Sequence, residues 1–103
     1  MKFYKLVRDK VPDNWNPAYG TNPRIHTADD EEYKKKLYEK LKEEVEEFQR
    51  DDNAKELSDI LEVLYAICDL KKISREELEG LRKQIEEKSG AFKKRIILED
   101  SED

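Results

Sequence analysis

The chain has 103 residues, of which 46% are charged and 36% hydrophobic, and its formal net charge is −5. The acidic excess argues against a nucleic-acid groove, which needs a basic patch to neutralise phosphates, and no apolar run is long enough to span a membrane. Because Cys68 is the only cysteine, no internal disulfide can form, and we expect a single cytoplasmic domain over residues 1–103.

The N-terminal part, residues 1–28, is predicted to be an extended arm followed by a loop. Residues 2–12 mix β-branched, aromatic and charged side chains, which is typical of an extended arm or a short strand. Prolines, a glycine and asparagines then interrupt residues 13–27, and a loop of this length is either functional or mobile. Trp15 and Tyr19 either pack this loop against the body of the protein or stack on a planar ligand.

Residues 29–90 are predicted to form a helical core of three helices, A, B and C. The apolar spacing and the capping residues place helix A at Asp29–Arg50, helix B at Ala54–Leu70, and helix C from after Ser74 to about Ser89–Gly90. Helix B is apolar over a broad face, so we expect it to be mostly buried. The short connections make neighbouring helices antiparallel, which predicts an all-α antiparallel bundle.

The C-terminal part, residues 91–103, is predicted to be a short extended or hairpin segment followed by an acidic tail. Four large apolar residues lie between residues 91 and 98, and the last five residues carry four acids. We expect the tail to be frayed, because the last residues of a domain have few contacts to hold them.

Two pairs of acids carry the chemical information in this sequence. Glu44 and Glu47 flank the apolar stripe of helix A, and Glu56 and Asp59 lie within or beside the apolar face of helix B. Because a spacing of three residues places both members of a pair on one side of a helix, antiparallel packing makes the two pairs face each other. Such a cluster needs cations, and carboxylate oxygens select Mg²⁺, or Mn²⁺ in its place. Mg²⁺ keeps coordination positions for water and phosphates, so the pocket suits a nucleotide polyphosphate.

Other interpretations of these acids remain open. Asn53 and Glu56 also fit a capping box, in which Glu56 would only start helix B. Glu43 and Glu46 form a rival pair at the same spacing, but they point further from the apolar stripe and are predicted to be solvated.

The pattern resembles a known family of nucleotide hydrolases. Residues 42–48 and 56–66 resemble the E-x-x-E … E-x-x-D metal helices of the MazG-like all-α nucleoside triphosphate pyrophosphohydrolases, which include phosphoribosyl-ATP pyrophosphohydrolase and dimeric dUTPase-type enzymes. Residues 4–12 and 88–98 look like the terminal segments of the phosphoribosyl-ATP pyrophosphohydrolase-like subgroup. One departure is Ser89, where the subgroup tends to carry a basic residue.

The resemblance implies an all-α NTP pyrophosphatase fold and a Mg²⁺-dependent cleavage between the α- and β-phosphates of a nucleotide substrate, releasing pyrophosphate. It assigns the catalytic and metal-binding roles to four acids, Glu44, Glu47, Glu56 and Asp59. A carboxylate that is not fully committed to metal would take the proton of a water whose pKa the metal lowers, and Glu43 is a lesser candidate for this base.

The same resemblance suggests which basic residues complete a phosphate clamp, and how the chain assembles. The candidates are Arg8, Lys10, Lys88 and Arg95, which would otherwise be surface charges or salt-bridge partners. The family resemblance implies homodimers or dimers of dimers. The alternative function is a non-catalytic helical module for oligomerisation or nucleotide sensing, but the presence of all four acids favours the enzyme.

Overall fold

The computed structural model describes residues 2–102, and in this range it contains helices and no strand. A short 3₁₀ helix at Pro17–Tyr19 precedes three α-helices, α1 (Asp30–Asp51), α2 (Ala54–Leu70) and α3 (Arg75–Ser89). The all-α prediction is therefore confirmed, with helix bounds within one residue of those expected. No helix in the described range has the length and apolar character needed to cross a membrane. The chain divides into two compact units, Met1–Lys72 and Ile73–Asp103.

Each α-helix begins at a side chain that accepts a hydrogen bond from a free backbone N–H of the first turn. The three pairs are Asp29 with the N–H of Glu32 at 2.9 Å, Asn53 with Glu56 at 3.0 Å, and Ser74 with Glu77 at 3.1 Å. Such a cap is worth about 1 kcal/mol, which explains why the sequence located the helix starts so closely.

A connection of two residues, Asp52 and Asn53, joins α1 to α2. Asp52 adopts the left-handed conformation with φ 50°, and its N–H donates to the carbonyl oxygen of Phe48 at 2.7 Å. Aspartate tolerates this conformation better than most residues, because its short polar side chain can hydrogen-bond locally. The two helices pack against each other, so this turn sets which residues of α1 meet those of α2.

The buried core of the first unit is small. Its fully or nearly buried apolar residues are Leu37 on α1 and Val63 and Cys68 on α2. Three leucines of α2 stay exposed, Leu57 by 52%, Leu61 by 46% and Leu64 by 37%. The expectation that this helix is mostly buried is therefore wrong for the single chain, because α1 covers only part of its broad apolar surface.

The N-terminal segment is held by aromatic contacts and turns. The indole N–H of Trp15 donates to the carbonyl oxygen of Gly20 at 2.8 Å, and its ring lies edge-on to Phe3 at 5.9 Å and tilted against Tyr19 at 6.0 Å. These contacts pack the two loop aromatics within the N-terminal segment itself. Residues 2–12 do not form a strand, since no second strand in the described range is available to pair with them.

The second unit consists of α3 and the residues that follow it. Gly90, with φ 84°, ends α3, and its N–H donates to the carbonyl oxygen of Glu86. After it, the N–H of Arg95 donates to the carbonyl oxygen of Phe92 at 3.1 Å, forming a single turn. The hairpin alternative is wrong, because no strands flank this turn in the described residues.

Candidate metal centre

Three of the four predicted acids come together where α1 and α2 pack. Glu44, Glu56 and Asp59 each contribute one carboxylate oxygen, and these three oxygens lie within 4.8 Å of one another. Glu44 comes from the second half of α1, Glu56 from the first turn of α2, and Asp59 from one turn further along α2. Donors from two helices therefore converge on one point, with one member of the first predicted pair and both members of the second.

The two glutamates are buried although their side chains are ionisable. Glu44 and Glu56 are each only 7% exposed, and they are the buried polar or charged residues of the described chain. Glu44 Oε2 and Glu56 Oε2 have no hydrogen-bond partner. A buried acceptor without a partner costs about 1–3 kcal/mol, and more when it is charged. Both orphaned oxygens belong to residues of the cluster, which could hold a metal ion.

Basic side chains of the protein neutralise the cluster in part. The ammonium of Lys40 lies 3.4 Å from Glu44 Oε1, and that of Lys55 lies 3.0 Å from Asp59 Oδ2 and 4.0 Å from Glu56 Oε1. The guanidinium of Arg8 donates to Asp59 Oδ1 at 2.8 Å. The two glutamates thus have cations on one side only, while Asp59 is paired at both oxygens.

The pKa shifts follow from this difference. Burial, reinforced by the neighbouring charge of Glu47, raises the pKa of Glu44 above its ordinary value, against the opposing effect of Lys40. The hydrogen bond from Lys55, with a further one from Arg8, lowers the pKa of Asp59 below its ordinary value, although partial burial opposes this. The ionised form is therefore disfavoured at Glu44 and stabilised at Asp59.

The fourth predicted ligand, Glu47, lies outside the group of three within the described residues. It stands one turn beyond Glu44 and is close enough to act on the pKa of that residue. Of the rival pair, Glu46 is exposed, as predicted. Glu43 is ion-paired with Lys5 at 3.6 Å and with Lys40 at 3.7 Å, so it is more than a solvated acid.

The capping interpretation of Glu56 accounts for only part of its environment. Asn53 does cap the N–H of Glu56. However, the carboxylate of Glu56 is buried with Oε2 unpartnered, whereas a capping box would turn it back towards the N–H of the cap residue.

Among the predicted phosphate-binding residues, Arg8 is the one that the structure places at the acids. Lys10 lies exposed in the N-terminal turns, and Lys88 and Arg95 are exposed in the second unit. Sequence reasoning missed Lys40 and Lys55 as partners of the cluster. A sequence signal was present, because each stands four residues before its acid, a spacing that places oppositely charged side chains together on a helix.

His26, the only histidine, contacts Glu32 and not the acids of the cluster. Its ring nitrogen Nε2 lies 2.8 Å from Glu32 Oε1 and 2.9 Å from Oε2, and the side chain is exposed. It therefore acts as an ion-pair partner at the start of α1 when it is protonated.

The donor set suits a hard divalent cation. It consists of carboxylate oxygens, and two oxygens of its glutamates have no hydrogen-bond partner. Comparison with protein-family models, with curated proteins and with solved structures found no match to this chain.

Proposed function

We propose that the protein is a Mg²⁺-dependent nucleotide pyrophosphohydrolase, which hydrolyses the α–β phosphate bond of a nucleoside triphosphate or a related nucleotide. The observation that carries this proposal is the pair of orphaned oxygens, Glu44 Oε2 and Glu56 Oε2, buried beside Asp59 in a cluster of carboxylates. Carboxylates buried without partners are costly, and a bound cation offsets that cost directly.

The acids and cations around this site support action on a polyphosphate. Glu44, Glu56 and Asp59 would hold Mg²⁺ or Mn²⁺, with Glu47 one turn away as the fourth acid. When bound, the cation neutralises phosphate charge and lowers the pKa of water. Glu47 is then the acid best placed to accept a proton, because it is next to the cluster and outside it.

The proposal includes the finer architecture. The connection of two residues between α1 and α2 supports an antiparallel pair within an all-α bundle of the NTP pyrophosphatase type. The exposed leucines of α2 support a homodimer or a dimer of dimers, in which a second copy covers them.

The test is a screen of canonical and modified nucleoside triphosphates with Mg²⁺, in which released pyrophosphate is measured. Glu44→Gln and Asp59→Asn should lose at least about a hundredfold in rate, because removal of a ligand should cost no less than removal of an outer-shell partner, which costs about 10–100-fold. Glu46→Gln is the matched control, because it removes the same charge from an exposed position of α1. If no nucleotide yields pyrophosphate with any divalent cation, the proposal is wrong.

The alternative is a helical module that binds nucleotides or assembles without turnover. The observation in its favour is that Lys40, Lys55 and Arg8 already neutralise part of the cluster. It predicts nucleotide binding in calorimetry together with no pyrophosphate in the same screen.

A further inference from the structure

Asp59 differs from the other two acids of the cluster because cations of the chain occupy both of its oxygens. Oδ1 accepts from Arg8 at 2.8 Å and Oδ2 from Lys55 at 3.0 Å. Glu44 and Glu56, in contrast, each keep one oxygen with no partner. An incoming metal ion therefore finds two open oxygens on the glutamates but must compete with the protein's own cations for Asp59.

The two competing cations are placed so that they can part from Asp59 at small cost. The side chain of Arg8 is 59% exposed and that of Lys55 is 76% exposed, whereas that of Asp59 is only 16% exposed. Water solvates the two released cations well, because both side chains are exposed, and the metal ion takes their place at the partly buried carboxylate. A divalent ion held by three carboxylates has far more to gain from Asp59 than either monovalent group.

The arm that carries Arg8 has other attachments, which do not involve Asp59. Lys5 is paired with Glu43 at 3.6 Å, and the carbonyl oxygen of Tyr4 accepts from the ammonium of Lys36 at 2.7 Å. These contacts keep the arm on α1 when the guanidinium of Arg8 leaves its carboxylate. The freed group thus stays within reach of the same site.

We propose that Arg8 and Lys55 are exchangeable counter-cations of Asp59. They neutralise it before a metal ion binds, and when the metal takes the carboxylate they turn to the phosphates of the bound nucleotide. This inference rests on the proposed function and deepens it, since it assigns Lys55 to the phosphate clamp and explains how the clamp is kept in place without substrate. The planar fork of Arg8 suits two phosphate oxygens, and Lys55 adds a point charge.

The first measurement is the affinity for Mn²⁺ alone, by titration calorimetry without nucleotide. Arg8→Gln and Lys55→Gln should each bind Mn²⁺ roughly two- to fivefold more tightly than the wild type, because one competitor for Asp59 is gone. Arg8→Lys should restore an affinity near that of the wild type. Lys2→Gln is the charge-matched control on the same arm, since Lys2 lies over the ring of Tyr4, and it should change the affinity less than twofold.

The second measurement is the affinity for inorganic pyrophosphate at saturating Mg²⁺. Here Arg8→Gln and Lys55→Gln should bind about tenfold more weakly, because each removes a charge-assisted hydrogen bond to phosphate. A residue with a merely structural role would not tighten metal binding and weaken phosphate binding at once.

The outcomes separate this inference from the hydrolase proposal. Unchanged Mn²⁺ affinity in both glutamine variants, or unchanged pyrophosphate affinity, would overturn the exchange. A wild-type chain that binds no Mn²⁺ would overturn it together with the metal site. If both opposite shifts are found but no nucleotide is hydrolysed, the exchange stands and only the hydrolase activity is lost.

Discussion

Replacing Glu56 by glutamine is expected to stabilise the metal-free protein. Glu56 is only 7% exposed as a residue, its Oε2 atom has no hydrogen-bond partner, and the unpartnered Oε2 of Glu44 belongs to the same cluster. Glutamine keeps the shape of the side chain, removes one of the two negative charges, and brings an N–H₂ group that can donate to Glu44. The substitution thus relieves a buried charge and offers a partner to a second one.

The magnitude follows from the cost of a buried group without a hydrogen bond, about 1–3 kcal/mol. Taking the lower end, the free energy of unfolding should rise by about 1 kcal/mol in the presence of a chelator. In a domain of this size that corresponds to an increase in Tm of roughly 4–8 °C. Most substitutions destabilise, so an increase of this size at a buried position is a specific signature.

Addition of Mg²⁺ should reverse the order of the two proteins. A cation present at about a hundred times its Kd stabilises the wild type by about 2.7 kcal/mol, which exceeds the gain from glutamine. Glu56→Gln has lost one of the metal ligands, so Mg²⁺ should stabilise it much less than the wild type. Thermal unfolding followed by circular dichroism, in EDTA and in a Mg²⁺ series, therefore gives curves that cross.

The matched control is Glu46→Gln, which makes the same change of charge at an exposed position of α1. Its Tm should stay close to that of the wild type in EDTA and should rise equally with Mg²⁺, since surface substitutions usually change stability by less than about 0.5 kcal/mol. A lower Tm for Glu56→Gln in EDTA, or an equal response of both variants to Mg²⁺, would refute the reasoning.

Three further predictions concern acidity, the helix connection and assembly. Burial raises the pKa of Glu44 in the folded protein, so the ionised carboxylate destabilises the fold only above the pKa that it has in the unfolded chain. In EDTA, the Tm of Glu44→Gln should therefore equal that of the wild type at about pH 4 and exceed it increasingly towards about pH 7. Asp52 has φ 50°, so Asp52→Val should destabilise by about 1–2 kcal/mol in urea unfolding while Asp52→Gly should not, and equal losses in both would contradict the strain argument. If the exposed leucines of α2 form the dimer contact, Leu61→Gln removes the burial of about half a leucine side chain from each copy, and the Kd of the dimer in light scattering should rise roughly thirtyfold. Glu62→Gln is the neighbouring control, and a wild-type chain that elutes as a monomer would contradict the prediction.

The helices and most of the acid cluster could be predicted from the sequence, because the patterns that indicate them involve residues close together in the chain. Caps at Asp29, Asn53 and Ser74 each need a partner only three residues away, and the spacing of each acid pair fixes one side of a helix. A connection of two residues leaves little freedom in how α1 meets α2. These facts bring Glu44 together with Glu56 and Asp59, but they predict the same of Glu47, which the structure leaves outside the group of three.

The remaining features depend on contacts that no local pattern encodes. Arg8 pairs with Asp59 across 51 positions of sequence, and nothing in the arm distinguishes it from Lys10, which is exposed in the same turns. Mixed β-branched and aromatic residues favour strands only where a neighbouring strand can pair with them, and the described residues contain none. The broad apolar face of α2 likewise indicates that this face is buried, but it does not show whether the same chain or another copy packs against it.

Trp15 gives the molecule an optical probe of its own. It is the single tryptophan of the chain, and its indole ring contacts Phe3 and Tyr19 in the segment before α1. Its emission spectrum therefore reports on the N-terminal segment, while far-ultraviolet ellipticity reports on the three helices. Recording both signals during one titration or one melt separates loosening of that segment from loss of the helical scaffold, without any label attached to the protein.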